Sequence, residues 1–222
     1  MPATPVYIVC SPRPQVGKTV FARLLSEFLL LKNGDVVAFD INLKEPSLLD
    51  YLPNVTETAD VSDTYGKMQL MDRLIVNDGL AKVIDLGFHA FDEFFKMSEE
   101  IGFLKEAARR HVIPIVMFMA TAERISMRAY ESLLSQTPRA NLITVDNAYV
   151  VRDELPPFME GGQSFRLPAL PGFLRNYIDR PNCSFTDYLR HEQDSSTELH
   201  QWIRRNYLGF RQIELRLILQ QP

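Results

Sequence analysis

Short, nearly continuous apolar runs alternate along this chain with longer stretches of helical periodicity. Residues 6–10 (V-Y-I-V-C), 36–39, 81–84, 113–119 and 141–145 are apolar or β-branched almost throughout. Between them, residues 20–32, 60–76, 90–110 and 122–134 carry apolar side chains three and four apart, as in Val20, Leu24, Leu25, Phe28 and Leu29. A strand apolar on both sides has no solvent face. Helices between such strands supply the crossovers that parallel pairing needs. The spacing therefore predicts an α/β three-layer fold, a mostly parallel sheet with helices on both faces. Residues 164–167 read as a last short strand, 47–52 as a short helix inside the loop 42–54, and 197–219 as one long C-terminal helix around Trp202. The aromatic stretch Phe91, Phe94, Phe95 and Met97 is expected in the core. Residues 152–162 form the loosest stretch, and no linker divides the chain, so 1–222 reads as a single domain.

Composition narrows the function classes. With 222 residues, 46% hydrophobic and 23% charged, the chain can bury a full core without staples. A net charge of −4 does not by itself point to nucleic acid. The two cysteines, Cys10 and Cys183, have no metal-type spacing, and Cys10 ends an apolar run as a small core residue. The stretch M-P-A-T-P-V-Y-I-V-C lacks the basic region of a signal peptide. No apolar stretch approaches the ~20 residues that span a bilayer. The expectation is a cytoplasmic protein that is not transmembrane.

The sharpest motif is Gly17-Lys18-Thr19, which follows the first strand and opens the first helix. A helix N-terminus offers backbone N–H groups and the positive end of a dipole, both suited to phosphate. Gly17 lets the backbone approach, Lys18 can reach the β- and γ-phosphates, and the Thr19 hydroxyl can ligate Mg2+. Pro12 and Pro14 donate no N–H, but they fall in the outer arm of the loop. Gln15, Val16, Gly17, Lys18 and Thr19 keep their amides, with Val20 next along the helix. Asp40 and Asp85 each end an apolar strand, where a carboxylate can hold Mg2+ or orient an attacking water. The alternative for either aspartate is a helix cap or loop carboxylate.

In order and spacing over about residues 5–190, the chain resembles the ParA/MinD group of deviant Walker A ATPases, of the SIMIBI class of P-loop proteins. Its motif K-G-G-x-G-K-[ST] aligns with Arg13-Pro14-Gln15-Val16-Gly17-Lys18-Thr19. Arg13 stands where the family has the lysine that reaches a partner's nucleotide across a dimer, and an arginine can make the same charge contact. The family's D-x-D is Asp40-Ile41-Asn42 here, continuing through Leu43-Lys44-Glu45-Pro46-Ser47. Asn42 replaces the aspartate used in hydrolysis and cannot take up a proton as a carboxylate does, so turnover is expected to be slow or absent. Residues 81–87 match the Walker B strand. Asn147 matches the adenine-reading asparagine, with a turn role as its alternative, and Pro168 falls in the segment lying against the base.

The resemblance implies ATP and Mg2+ as ligands. Lys18, Asp40 and Arg13 would be catalytic, and Thr19, Asp40 and Asp85 would hold the metal. It also implies an ATP-dependent homodimer, a protein partner stimulating hydrolysis, and a role in partition or spatial positioning. Non-specific DNA binding would use the tail residues His200, Arg204, Arg205, Arg211 and Arg216, against which stands an ordinary amphipathic helix with a solvated face. Two other functions fit the motif: a small-molecule enzyme similar to dethiobiotin synthetase, and a nucleotide-binding module without turnover.

Overall fold

The computed structural model describes residues 3–42, 48–150, 154–181 and 183–219. Its centre is a seven-stranded sheet in the order β3-β2-β4-β1-β5-β6-β7, with every pair parallel. The strands are β1 (Thr4–Cys10), β2 (Val37–Asp40), β3 (Thr56–Thr58), β4 (Lys82–Asp85), β5 (Val112–Met119), β6 (Leu142–Asn147) and β7 (Gln163–Leu167). The expected three-layer α/β fold is the one observed.

Side-chain alternation along β1 sorts the core into two layers. Tyr7 and Val9 enter the cluster on one face, with α1 (Lys18–Asn33) and the C-terminal helix. Val6, Ile8 and Cys10 enter the other, with the helices between β3 and β6. This is the period-two geometry of a strand covered on both sides. The helix α1 stops where Asn33-Gly34 predicts, with Gly34 at φ 82 and its N–H bonded to the Leu30 carbonyl.

Several elements differ from expectation. The edge strand β3 was not foreseen: Thr56, Glu57 and Thr58 are polar and few, and an edge strand with one neighbour needs no apolar run. After α2 (Leu48–Tyr51), helix α3 (Thr64–Leu74) begins later than residue 60, because the Asp63 side chain caps it by accepting from the Gly66 N–H. The stretch 90–110 is two helices, α4 (Phe91–Glu100) and α5 (Phe103–Arg109). They are parted at Gly102, whose φ of 65 no helix continues through. Phe91, Phe94 and Met97 are buried as expected.

Beyond α6 (Arg124–Gln136), three short helices break the stretch between β6 and the tail: α7 (Pro157–Glu160), α8 (Gly172–Ile178) and α9 (Phe185–His191). None of the three was predicted, and α7 falls within the stretch 152–162 read as the loosest. The tail is α10 (Glu198–Leu219). It buries Trp202, Ile203, Phe210 and Ile213 against α1 and β7. Phe210 stacks on Phe165 with ring centroids 4.9 Å apart, and Phe21 meets both edge-on. Among the described residues, no helix is long and apolar enough to cross a membrane.

The outer helices also bury a cation. Arg23 is 1% exposed. Its guanidinium lies between the rings of Tyr51 and Phe185, donates to the carbonyls of Ile178 and Cys183, and pairs with Glu27. These contacts tie α1 to α2, α8 and α9.

Candidate functional site

The turn from β1 to α1 curls through two left-handed residues, Gln15 at φ 57 and Gly17 at φ 88. Position 17 needs glycine twice over: the backbone is left-handed, and a Cβ there would lie 2.6 Å from Asn147 Nδ2. Gly17 stands at the N-cap of α1 with no side-chain cap, and the first turn carries no acid. Many helices place a carboxylate of their own at that end; α1 has none in its first turn.

Lys18 is buried, and its ammonium donates to the Arg13 carbonyl at 2.8 Å, bracing the loop. Burial pushes its pKa down, while the nearby Asp85 carboxylate pushes it back up. The Thr19 hydroxyl donates to Asp85 Oδ2 at 2.7 Å. Asp85 is fully enclosed, and burial raises its carboxyl to about 7. The Thr19 bond and the Lys18 charge oppose that rise, and Asp40, its register partner on β2, adds to it. Thus Gly17-Lys18-Thr19 and the strand-end aspartate meet across the β1–β4 pairing, as their chemistry predicts.

Asp40 is also buried, but both its oxygens accept backbone amides: Oδ1 from Asn42 at 3.0 Å and Oδ2 from Leu48 at 2.9 Å. It holds the amides of Asn42 and Leu48, which is the loop-carboxylate alternative for this residue. Residues 43–47 of the second motif lie outside the described residues. Gly87, just past β4, lets the two strand ends close up, since a Cβ there would sit 3.1 Å from the Ile41 carbonyl.

Asn147 ends β6 beside the loop. Its Nδ2 donates to the Val16 carbonyl at 3.0 Å, and its Oδ1 accepts from the Tyr149 N–H at 3.1 Å. The asparagine thereby staples β6 to the loop and caps its own turn. Arg13 does not line the cleft; its Nε pairs with Glu123 at 2.9 Å, with both side chains partly exposed.

These residues border an open cleft of about 720 Å³, walled by Gln15, Lys18, Thr19, Val20, Asn42 and Asp85. A smaller slot of about 50 Å³ lies beside it, against Asn147, Leu167, Pro168 and Trp202. The cleft opens at the carboxyl ends of β1, β2 and β4, where parallel sheets place their ligands. Sequence reasoning missed Tyr149 and Arg175, which line both cavities. One lies in a turn and the other on an unpredicted helix, so no local signal marked them.

The Thr19 hydroxyl and Asp85 carboxylate are hard oxygen donors of the kind Mg2+ takes, together with phosphate oxygens. Among the described residues no group of three or more His, Cys, Asp or Glu could hold a metal. A cation at Thr19 and Asp85 would therefore complete its shell with ligand oxygens and water. No protein-family model matches the chain, and no curated protein is significantly similar to it.

Proposed function

We propose that the protein is an ATP-binding switch of the ParA/MinD kind. Mg·ATP occupies the cleft, bridges two copies into a dimer, and is hydrolysed slowly. One observation carries the reading: the Thr19 hydroxyl meets Asp85 at 2.7 Å beside the buried Lys18 ammonium, at the uncapped start of α1. That set serves a phosphate chain and its cation. The loop amides and Lys18 bind and orient the phosphates. Thr19 and Asp85 hold Mg2+, which when bound neutralises phosphate charge. Arg13 leaves Glu123 at little cost, since partly exposed ion pairs contribute only about 0–1 kcal/mol, and reaches the second copy's ligand. The dimer then docks on a partner or on DNA through the exposed Arg204, Arg205, Arg211 and Arg216. Cytoplasmic partition or positioning is the matching output.

Light scattering tests this directly. The mass doubles with Mg·ATP in the wild type and stays unchanged in Lys18→Ala. An unchanged wild-type mass with nucleotide bound rules out the switch.

A nucleotide-binding module without turnover is the second reading. It is favoured by Asn42 at the cleft wall and by the two amide bonds that engage Asp40. Phosphate release separates the two readings: slow release that rises in Asn42→Asp supports the ATPase, and none in either protein supports the module.

A further inference from the structure

The base-side slot is closed by residues outside every motif. Tyr149 sits in the turn after β6 and Arg175 on α8. The Arg175 Cζ lies 3.7 Å from the centroid of the Tyr149 ring, a stacked cation–π contact. Because both residues line the large cleft and the slot, the stack stands on the boundary between them. At about 50 Å³ the slot admits one or two waters, given roughly 30 Å³ per water, and no bicyclic base. Its inner wall is apolar, formed by Leu167, Pro168, Leu170 and the Trp202 indole, whose N–H already donates to the Pro168 carbonyl at 2.7 Å. Tyr149 is 53% exposed, and Arg175 makes no ion pair among the described residues.

We propose that Tyr149 and Arg175 read the nucleobase: the base displaces the guanidinium from the Tyr149 ring, stacks on that ring in its place, and frees Arg175 to turn onto the phosphates. The proposal rests on the nucleotide reading above and adds the residues that select a base. Guanidinium and base compete for the same ring, so they exclude each other. The charge released borders the cleft where the phosphates lie. Base recognition and phosphate recognition thereby become one event, and a bare phosphate chain leaves the stack closed.

Trp202 is the chain's only tryptophan and lines the slot, so it reports on entry. The experiment compares Mg·ATP with Mg·tripolyphosphate by calorimetry and by Trp202 emission. It uses the wild type, Tyr149→Ala, Tyr149→Phe and Arg175→Ala. ATP changes the emission and tripolyphosphate binds without doing so. The ratio of ATP to tripolyphosphate affinity falls roughly 5- to 100-fold in Tyr149→Ala, the range of one base–aromatic stack, and is kept in Tyr149→Phe. In stopped flow the wild-type rate of ATP association saturates with concentration, because displacement of the guanidinium follows encounter. In Arg175→Ala it rises linearly. An unchanged affinity ratio in Tyr149→Ala, a silent Trp202 with ATP bound, or saturation that persists in Arg175→Ala overturns the proposal. If the wild type binds neither ligand, the nucleotide reading fails, and this one with it.

Discussion

The two sides of the cleft are built in different ways. The side proposed to hold phosphate comes from one strand–helix turn, 11–19, and the end of the strand paired beside it. Its key groups are backbone amides, one lysine, one hydroxyl and one carboxylate. The base side gathers Asn147, Tyr149, Pro168, Arg175 and Trp202 from separate elements spread over the last third of the chain. On the proposed nucleotide reading, the contrast follows from what each side would recognise. A phosphate chain needs donors and charge, which a short loop can present. A base needs flat apolar walls, which only tertiary packing assembles.

That contrast can be broken in several ways. The largest effect is expected in the packing behind the base side. Phe210→Ala removes a ring that is 1% exposed and touches Phe21, Phe28 and Phe165, and should cost about 3–5 kcal/mol in chemical denaturation. A loss under about 1 kcal/mol would mean that α10 does not hold that wall. Next, Lys18→Ala should weaken ATP and tripolyphosphate alike, by roughly 10- to 100-fold in calorimetry, as expected for a lost charge-assisted contact. Weakening of ATP alone would erase the division between the two sides.

A smaller effect comes from Asp85. Its folded-state carboxyl titrates near 7 against an ordinary 3.8. Below about pH 4 both folded and unfolded chains hold the proton, and the stabilisation is fully present. It is lost as pH rises through about 7, because the buried carboxylate must then ionise. Asp85→Asn should therefore match the wild type in thermal melts at pH 4 and exceed it at pH 8, by roughly 3–6 °C. In the wild type, Mg2+ should strengthen ATP binding less at pH 6 than at pH 8, since the protonated carboxyl is a poor ligand. The smallest effect on the monomer belongs to Arg13→Ala. Its ion pair with Glu123 is partly exposed, so stability should change by less than about 1 kcal/mol. The ATP-dependent mass increase should nevertheless disappear. A variant that still dimerises removes Arg13 from the contact between copies.

The loop side of the cleft was legible in the sequence because its determinants are local. Gly17-Lys18-Thr19 sits between an apolar strand and an amphipathic helix, and Asp85 ends the strand that pairs with β1. What the residues alone do not reveal are the partners chosen by distant packing. Asn147 grips the Val16 carbonyl, Arg13 faces Glu123, and Asp40 accepts the Asn42 and Leu48 amides. Arg23 on α1 is enclosed by α2, α8 and α9, all distant in sequence. The helices α8 and α9 carry too few apolar repeats to announce themselves, and β3 is too polar. The break at Gly102 had a visible cause, since glycine weakens a helix interior, but its left-handed conformation appears only in the fold.

The central position of β1 bears on how the protein comes to exist on the ribosome. This strand lies between β4 and β5, so both its hydrogen-bonding neighbours are encoded well downstream of it. A nascent chain that has not yet emitted Asp85 has an N-terminal strand without a mate, and its Gly17-Lys18-Thr19 turn has no scaffold. The turn thus gains its scaffold only once β4 and β5 have been made. Until then the apolar stretch at residues 6–10 is the segment most in need of chaperone cover.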